Sequence, residues 1–195
     1  MDTLQLATGD ALVVVDLQND FLPGGSLAVP DGDAVLPPLN GYIELFVRQA
    51  LPVFATRDWH PPDHCSFRSQ GGSWPPHCIA GSAGARFAAA LHLPADATLV
   101  SKATQAESDA YSGFGGTELN ALLRAAGARR LFVGGLATDY CVLNTVKDAL
   151  GFGYAVLLLG DAVRAVDVVP GDGARALAEM IGLGATPIEL RQIAG

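Results

Sequence analysis

The sequence predicts an α/β protein built as three layers, with helices on both faces of a six-stranded, mainly parallel sheet. Three observations predict it. Six short apolar runs recur along the chain, and helical segments separate most of them. The first run, "ALVVVDL", is continuously apolar, as a strand buried on both faces is. Strands that alternate with helices form parallel neighbours joined by right-handed crossovers.

The elements follow in order. Residues 11–17 open the sheet. Asp33 is placed to cap a helix running towards Ala50, which leads to the second strand, "PVFATR" (52–57). "TLVSK" (98–102) is the third. Thr117 is placed to cap "ELNALLRAAG", which Gly127 ends. "RLFVGG" (130–135) is the fourth strand, and a helix over 141–151 follows it. "YAVLLLG" (154–160), a helix over 171–184 and "TPIEL" (186–190) complete the series. Two stretches rich in Gly, Pro and Ser, 18–32 and 58–83, break the rhythm. Loops as long as the second usually carry function. The sheet resumes after each, so residues 1–195 read as one domain.

Composition narrows the function classes. Half of the 195 residues are hydrophobic and 16% are charged, which excludes a disordered chain. A net charge of −8 disfavours nucleic acid or an anionic membrane as partner. No basic segment precedes the first apolar run, and no run is long enough to span a bilayer. The expected location is cytoplasmic, and a homo-oligomer is compatible with all of this. Three cysteines, Cys65, Cys78 and Cys141, are an odd count, which argues against a disulfide framework. Lys102 and Lys147 are the only lysines, against ten arginines.

Ligands of open parallel sheets sit beyond the carboxyl ends of the strands, where strand order reverses. Asp16, Asp58 and Lys102 lie at or just past the ends of the first three strands, and Cys141 follows the fourth. A strand order of 3-2-1-4-5-6 would bring Asp16 and Cys141 together. "GGLATDYC" delivers Cys141 to a helix start, where the helix dipole lowers a thiol's pKa and free N–H groups hold an oxyanion. Position alone fits an inert buried cysteine equally well. Asp16 follows four apolar residues, and burial would raise its pKa and suit it to accept a thiol proton. The plainer alternative is an acid that caps a loop. Lys102 would balance the negative charge of such a pair, or simply be solvated at a strand end.

"DWHPPDHCSF" (58–67) and "SWPPHC" (73–78) bring in the histidines. Residues two apart on an extended segment share a side, so Asp58 and His60 converge while Trp59 points away. His64 and His77 are available to join them. Mixed nitrogen and oxygen donors suit a borderline divalent metal such as zinc. A closed zinc knot through Cys65 and Cys78 lacks the paired C-x2-C spacing. A proline-stiffened turn with exposed histidines accounts poorly for three of the four histidines falling within residues 60–77. Phe21 and Trp74 flank these polar groups and could sandwich a flat ring; Tyr111 is nearby, and Phe114 reads as core.

"VVVDLQNDFLPGGSLAV", "TRDWHPPDHCSF", "WPPHCIAGSAGARF", "SKATQ…DAYSGFGGT" and "GGLATDYCVLNTVKDAL" together resemble bacterial and archaeal nicotinamidases. These belong to the isochorismatase-like cysteine hydrolases, which have a Rossmann-like fold. The resemblance spans about residue 10 to about residue 190. It implies Asp16, Lys102 and Cys141 as a catalytic triad, and Asp58, His60 and His77 as metal ligands. His64 matches a ligand in some members only. It implies oxyanion N–H groups from Ala137 and Cys141, a cis Leu136–Ala137 peptide, and Phe21 and Trp74 against the pyridine ring. The implied cofactor is one divalent ion, zinc first, with iron or manganese as alternatives. The implied reaction is hydrolysis of nicotinamide, and of pyrazinamide, through a thioester. Isochorismatases and carbamoyl-amide hydrolases lack the full Asp-x-His…His set. A dinucleotide-binding module is excluded because the first strand runs into "DLQNDFLPGG" and not G-x-G-x-x-G.

Overall fold

The computed structural model describes residues 3–194. Six strands form one parallel sheet: β1 Asp10–Val15, β2 Val53–Asp58, β3 Thr98–Lys102, β4 Arg130–Leu136, β5 Ala155–Arg164 and β6 Thr186–Ile188. Their order is β3-β2-β1-β4-β5-β6, so the switch point lies between β1 and β4. All six expected strands are present. β5 runs past Gly160 to Arg164, and β6 stops at Ile188, where the Glu189 and Gln192 side chains box in a short turn.

Helices α1 Leu36–Arg48, α2 Leu119–Ala125, α3 Leu143–Gly151 and α4 Asp172–Gly182 cover the sheet. The pleat of β1 divides its apolar run between two cores. Leu12 and Val14 pack with Leu39, Ile43 and Phe46 of α1. Ala11, Val13 and Val15 pack on the other face with Leu123 of α2, Val146 of α3 and Met180 of α4. All five β1 residues are inaccessible to solvent, and burying each Val or Leu is worth about 1.5–3 kcal/mol.

Three helix starts differ from expectation. Asp33 does not cap α1; it sits inside a 3-10 turn, Gly32–Val35, and α1 begins at Leu36 with a proline in its first turn. Proline fits there because its missing N–H has no partner to lose. Thr117 Oγ1 accepts from the Leu119 N–H at 3.2 Å, but α2 begins at Leu119 after Glu118. Gly127 ends α2 as expected, with φ +71°. Cys141 lies within a π-helical turn, Thr138–Val142, that precedes α3.

The β2–β3 connection carries no long element of its own. Backbone pairing organises it instead. The His60 N–H donates to Cys78 O at 3.0 Å and the Ala80 N–H to His60 O at 2.8 Å. That short parallel bridge lays His77 beside His60. Among the described residues, no helix is long and apolar enough to cross a membrane.

Candidate active site

Next to the switch point, the last residue of β1, Val15, lies beside Thr56 of β2, and β2 pairs its last residue, Asp58, with Lys102 of β3. Asp16 turns off the sheet in the left-handed region, φ +49°, and so do Cys78 and Ala103 beside the site, at φ +48° and +52°. Such positions cost about 1–3 kcal/mol each and cluster where geometry serves function. Gly135 allows the close approach of β4: a Cβ there would lie 2.0 Å from Val15 O.

Asp16, Lys102 and Cys141 meet beneath this edge, and all three are buried. Lys102 Nζ directs its three N–H bonds to Asp58 Oδ1, to Ala110 O at 3.1 Å and to Cys141 Sγ at 3.4 Å. It also forms an ion pair with Asp16 Oδ2 at 3.0 Å. Asp16 Oδ1 accepts from the Thr56 hydroxyl at 2.6 Å. Donor atoms of Asp16, Asp58 and Cys141 all lie within 4.8 Å of one another.

The electrostatics follow from burial. Burial raises the Asp16 pKa above its ordinary 3.8, and the charge of Lys102 opposes the rise. Burial alone would lower the Lys102 pKa, but Asp16 and Asp58 outweigh it and hold the ammonium well above its ordinary range. Burial holds the Cys141 thiol well above its ordinary range despite Lys102. The direction is opposite to the lowering expected from the helix dipole, because burial is the largest influence on the thiol.

The histidine cluster stands beside these groups. Asp58, His60 and His77 bring one donor atom each within 4.8 Å of the others, and all are buried. His60 Nδ1 donates to His77 O at 3.0 Å and His77 Nδ1 to Pro75 O at 2.8 Å. Each ring thus keeps Nε2 as a free donor atom, fixed by a backbone carbonyl behind it, which is how metal-binding imidazoles are oriented. Burial lowers the His60 pKa to about 4, so it is neutral and can ligate. Two imidazoles and a carboxylate fit a divalent ion of the zinc type. Phe67 floors the cluster, edge-on to His60 at 5.4 Å. His64 stacks on His60 at 4.3 Å but spends both nitrogens on Ser66 and Ser108; its own grouping is with His60 and Asp109. Trp59 points away, with the Arg57 guanidinium 3.8 Å above its ring.

One pocket joins the two sets, because Cys141, Asp58 and His77 all line it. Phe21 and Trp74 line it too, as does Ala137, whose peptide bond with Leu136 is cis. Trp74 Nε1 donates to the Tyr111 hydroxyl at 2.9 Å, and Tyr140 packs against both rings, at 5.1 and 5.4 Å. Phe114 lies in the core. The three cysteines are unpaired.

Several further residues shape the site. Gln18 clamps Asp58, donating to its carbonyl at 2.7 Å and accepting from its N–H at 2.8 Å. Asp20 accepts from the Cys78 N–H at 2.7 Å. Both stand in "DLQND", where two polar side chains after a buried strand were the available signal. Tyr140, Leu27, Val29 and Val166 form pocket walls that no spacing announces.

A buried thiol beside a carboxylate and an ammonium, opening on a pocket shared with a candidate metal cluster, is the equipment of a cysteine-dependent hydrolase. The chain belongs to the isochorismatase family: the isochorismatase domain model matches residues 10–192. The nicotinamidase of Escherichia coli strain K12 is 41% identical over 197 residues, covering 90% of this chain and 92% of that protein. The zinc-bound pyrazinamidase of Pyrococcus horikoshii superposes with a TM-score of 0.89 at 48% identity, covering 93% and 99% of the two chains. PnC1 from L. infantum in complex with nicotinate superposes with a TM-score of 0.90 at 39% identity, covering 98% of each.

Proposed function

We propose that this chain hydrolyses nicotinamide to nicotinate and ammonia, with pyrazinamide as a second substrate, and serves NAD salvage in the cytoplasm. The observation that carries this is the single pocket in which the Cys141 thiol, two members of the metal cluster, and Phe21 and Trp74 face one another. Aromatic side chains line it, as suits a flat ring. The relatives named for nicotinamide and pyrazinamide support the choice of amide.

In this reading Asp16 takes the thiol proton as Cys141 attacks the carboxamide carbon. Lys102 stays charged and balances the carboxylate and the developing thiolate. The N–H groups of Ala137 and Cys141 hold the tetrahedral oxyanion, worth about 2.7–4 kcal/mol per donor. Protonated Asp16 then gives its proton to the departing ammonia, and water hydrolyses the thioester. Phe21 and Trp74 sandwich the pyridine ring. Asp58, His60 and His77 would hold a divalent ion, which would supply Lewis-acid chemistry beside the ring. Zinc is the first choice for that donor set, with iron or manganese as alternatives.

The test is ammonia release from nicotinamide, with and without chelator. Rapid release that the chelator suppresses and added zinc, iron or manganese restores is expected. A protein that folds, holds metal and releases no ammonia from nicotinamide or pyrazinamide contradicts the reading.

A further inference from the structure

Asp16 has two oxygens in unequal surroundings. Oδ1 accepts the Thr56 hydroxyl at 2.6 Å, whereas Oδ2 faces the Lys102 ammonium at 3.0 Å. Thr56 is wholly buried, and its rotamer is fixed from two sides. Its hydroxyl faces Asp16. Its methyl packs so closely on Gly113 that a Cβ there would lie 2.8 Å from it. Gly113 is itself held, donating its N–H to Thr145 Oγ1 at 2.9 Å. The Asp16 backbone joins the same unit, donating to Thr56 O at 3.2 Å.

We propose that Thr56 is a positioning residue that divides the labour of the Asp16 oxygens, which deepens the amidase reading and rests on it. The hydroxyl occupies Oδ1 and locks the carboxylate plane. Lys102 contributes positive charge 3.0 Å from Oδ2. Oδ2 is left as the open acceptor for the thiol. When Cys141 attacks, the S–H bond breaks and an O–H bond forms at Oδ2. The sulfur electron pair closes the C–S bond, and the carbonyl π pair moves onto oxygen. The same proton later leaves Oδ2 for the amide nitrogen as the C–N bond breaks. Thr56 keeps its own proton throughout. Without its donor, the carboxylate rotates and either oxygen can meet the thiol in poorer geometry.

Two variants separate this role from packing. Thr56→Val keeps the methyl against Gly113 and loses the donor; Thr56→Ser keeps the donor and loses the methyl. The assay is single-turnover ammonia release from nicotinamide by the metal-loaded protein, against enzyme concentration. For Thr56→Val the maximal rate is expected to fall about tenfold to a hundredfold, the usual worth of a hydrogen bond to a charged group, with half-saturation within about twofold. For Thr56→Ser the rate should stay within about threefold of wild type. A wild-type rate in Thr56→Val overturns the proposal, and so does equal slowing in both variants, which would assign the role to packing. If Thr56→Val fails to fold, Thr56→Ala replaces it: slower than Thr56→Ser supports the proposal, and equal to it refutes it. A wild-type protein that releases no ammonia removes the amidase reading itself, which is a different result from active wild type with insensitive variants.

Discussion

Lys102→Met tests the electrostatic design of the site. The methionine keeps the volume of the stem and removes the ammonium from between two buried carboxylates. At 3.0 Å and an effective dielectric of about 20, the Lys102–Asp16 attraction is about 5–6 kcal/mol, against a desolvation penalty of several kcal/mol per ion. The intact cluster therefore adds little net stability. Breaking it is another matter, because Asp16 and Asp58 then face each other without a cation. Removing one partner of a buried ion pair costs about 3–5 kcal/mol. For a chain of this size that lowers Tm by about 6–20 °C. The loss also has a pH sign. Without Lys102 the folded Asp16 carboxyl is pushed further above 3.8, so the folded state binds more protons than the unfolded one. Stability of the variant then falls as pH rises above the unfolded value, and acid relieves the repulsion. Urea unfolding with chelator present, at pH 8 and pH 5.5, measures both effects. A loss under about 1 kcal/mol, as for an exposed pair, refutes the reasoning, as does a loss independent of pH.

Other predictions follow from the same geometry. His60→Ala should lose tightly bound metal by elemental analysis and raise KM for nicotinamide at least about tenfold, as loss of a direct ligand exceeds the roughly 10–100-fold effect of a supporting one; full metal content with unchanged KM would contradict it. Asp16 must be ionised to take the thiol proton, and burial raises its pKa, so kcat/KM should fall with decreasing pH along a limb above the ordinary 3.8. A limb at or below 3.8 would sink that assignment. Gly135→Ala sets a Cβ 2.0 Å from Val15 O at φ +129° and should destabilise by more than about 3 kcal/mol in urea. A variant as stable as wild type would show that β1 and β4 can separate there freely.

The sheet was legible because each strand is a short apolar run between breakers, and its order is the doubly wound one that would bring Asp16 and Cys141 together. Helix starts were less legible: Asp33 looks like a cap, but the prolines after Leu36 set where α1 can begin. The period-two rule that brings Asp58 to His60 extends back to Thr56, yet Thr56 reads as one more strand residue until its partner Asp16 is in view. His77 joins through a bridge between distant backbone segments, which only the folded chain displays. The direction of the Cys141 shift was illegible for a further reason. A helix start is visible in sequence, whereas complete burial of the thiol is a property of everything packed over it.

The central claim is that sulfur, not water, first attacks the amide. Acid quenching of the metal-loaded protein during turnover of nicotinamide, followed by peptide mass analysis, tests it most directly. One nicotinoyl group is expected on the peptide containing Cys141, and neither label nor ammonia from Cys141→Ala. Sustained ammonia release by Cys141→Ala, or a label on another residue, would contradict it.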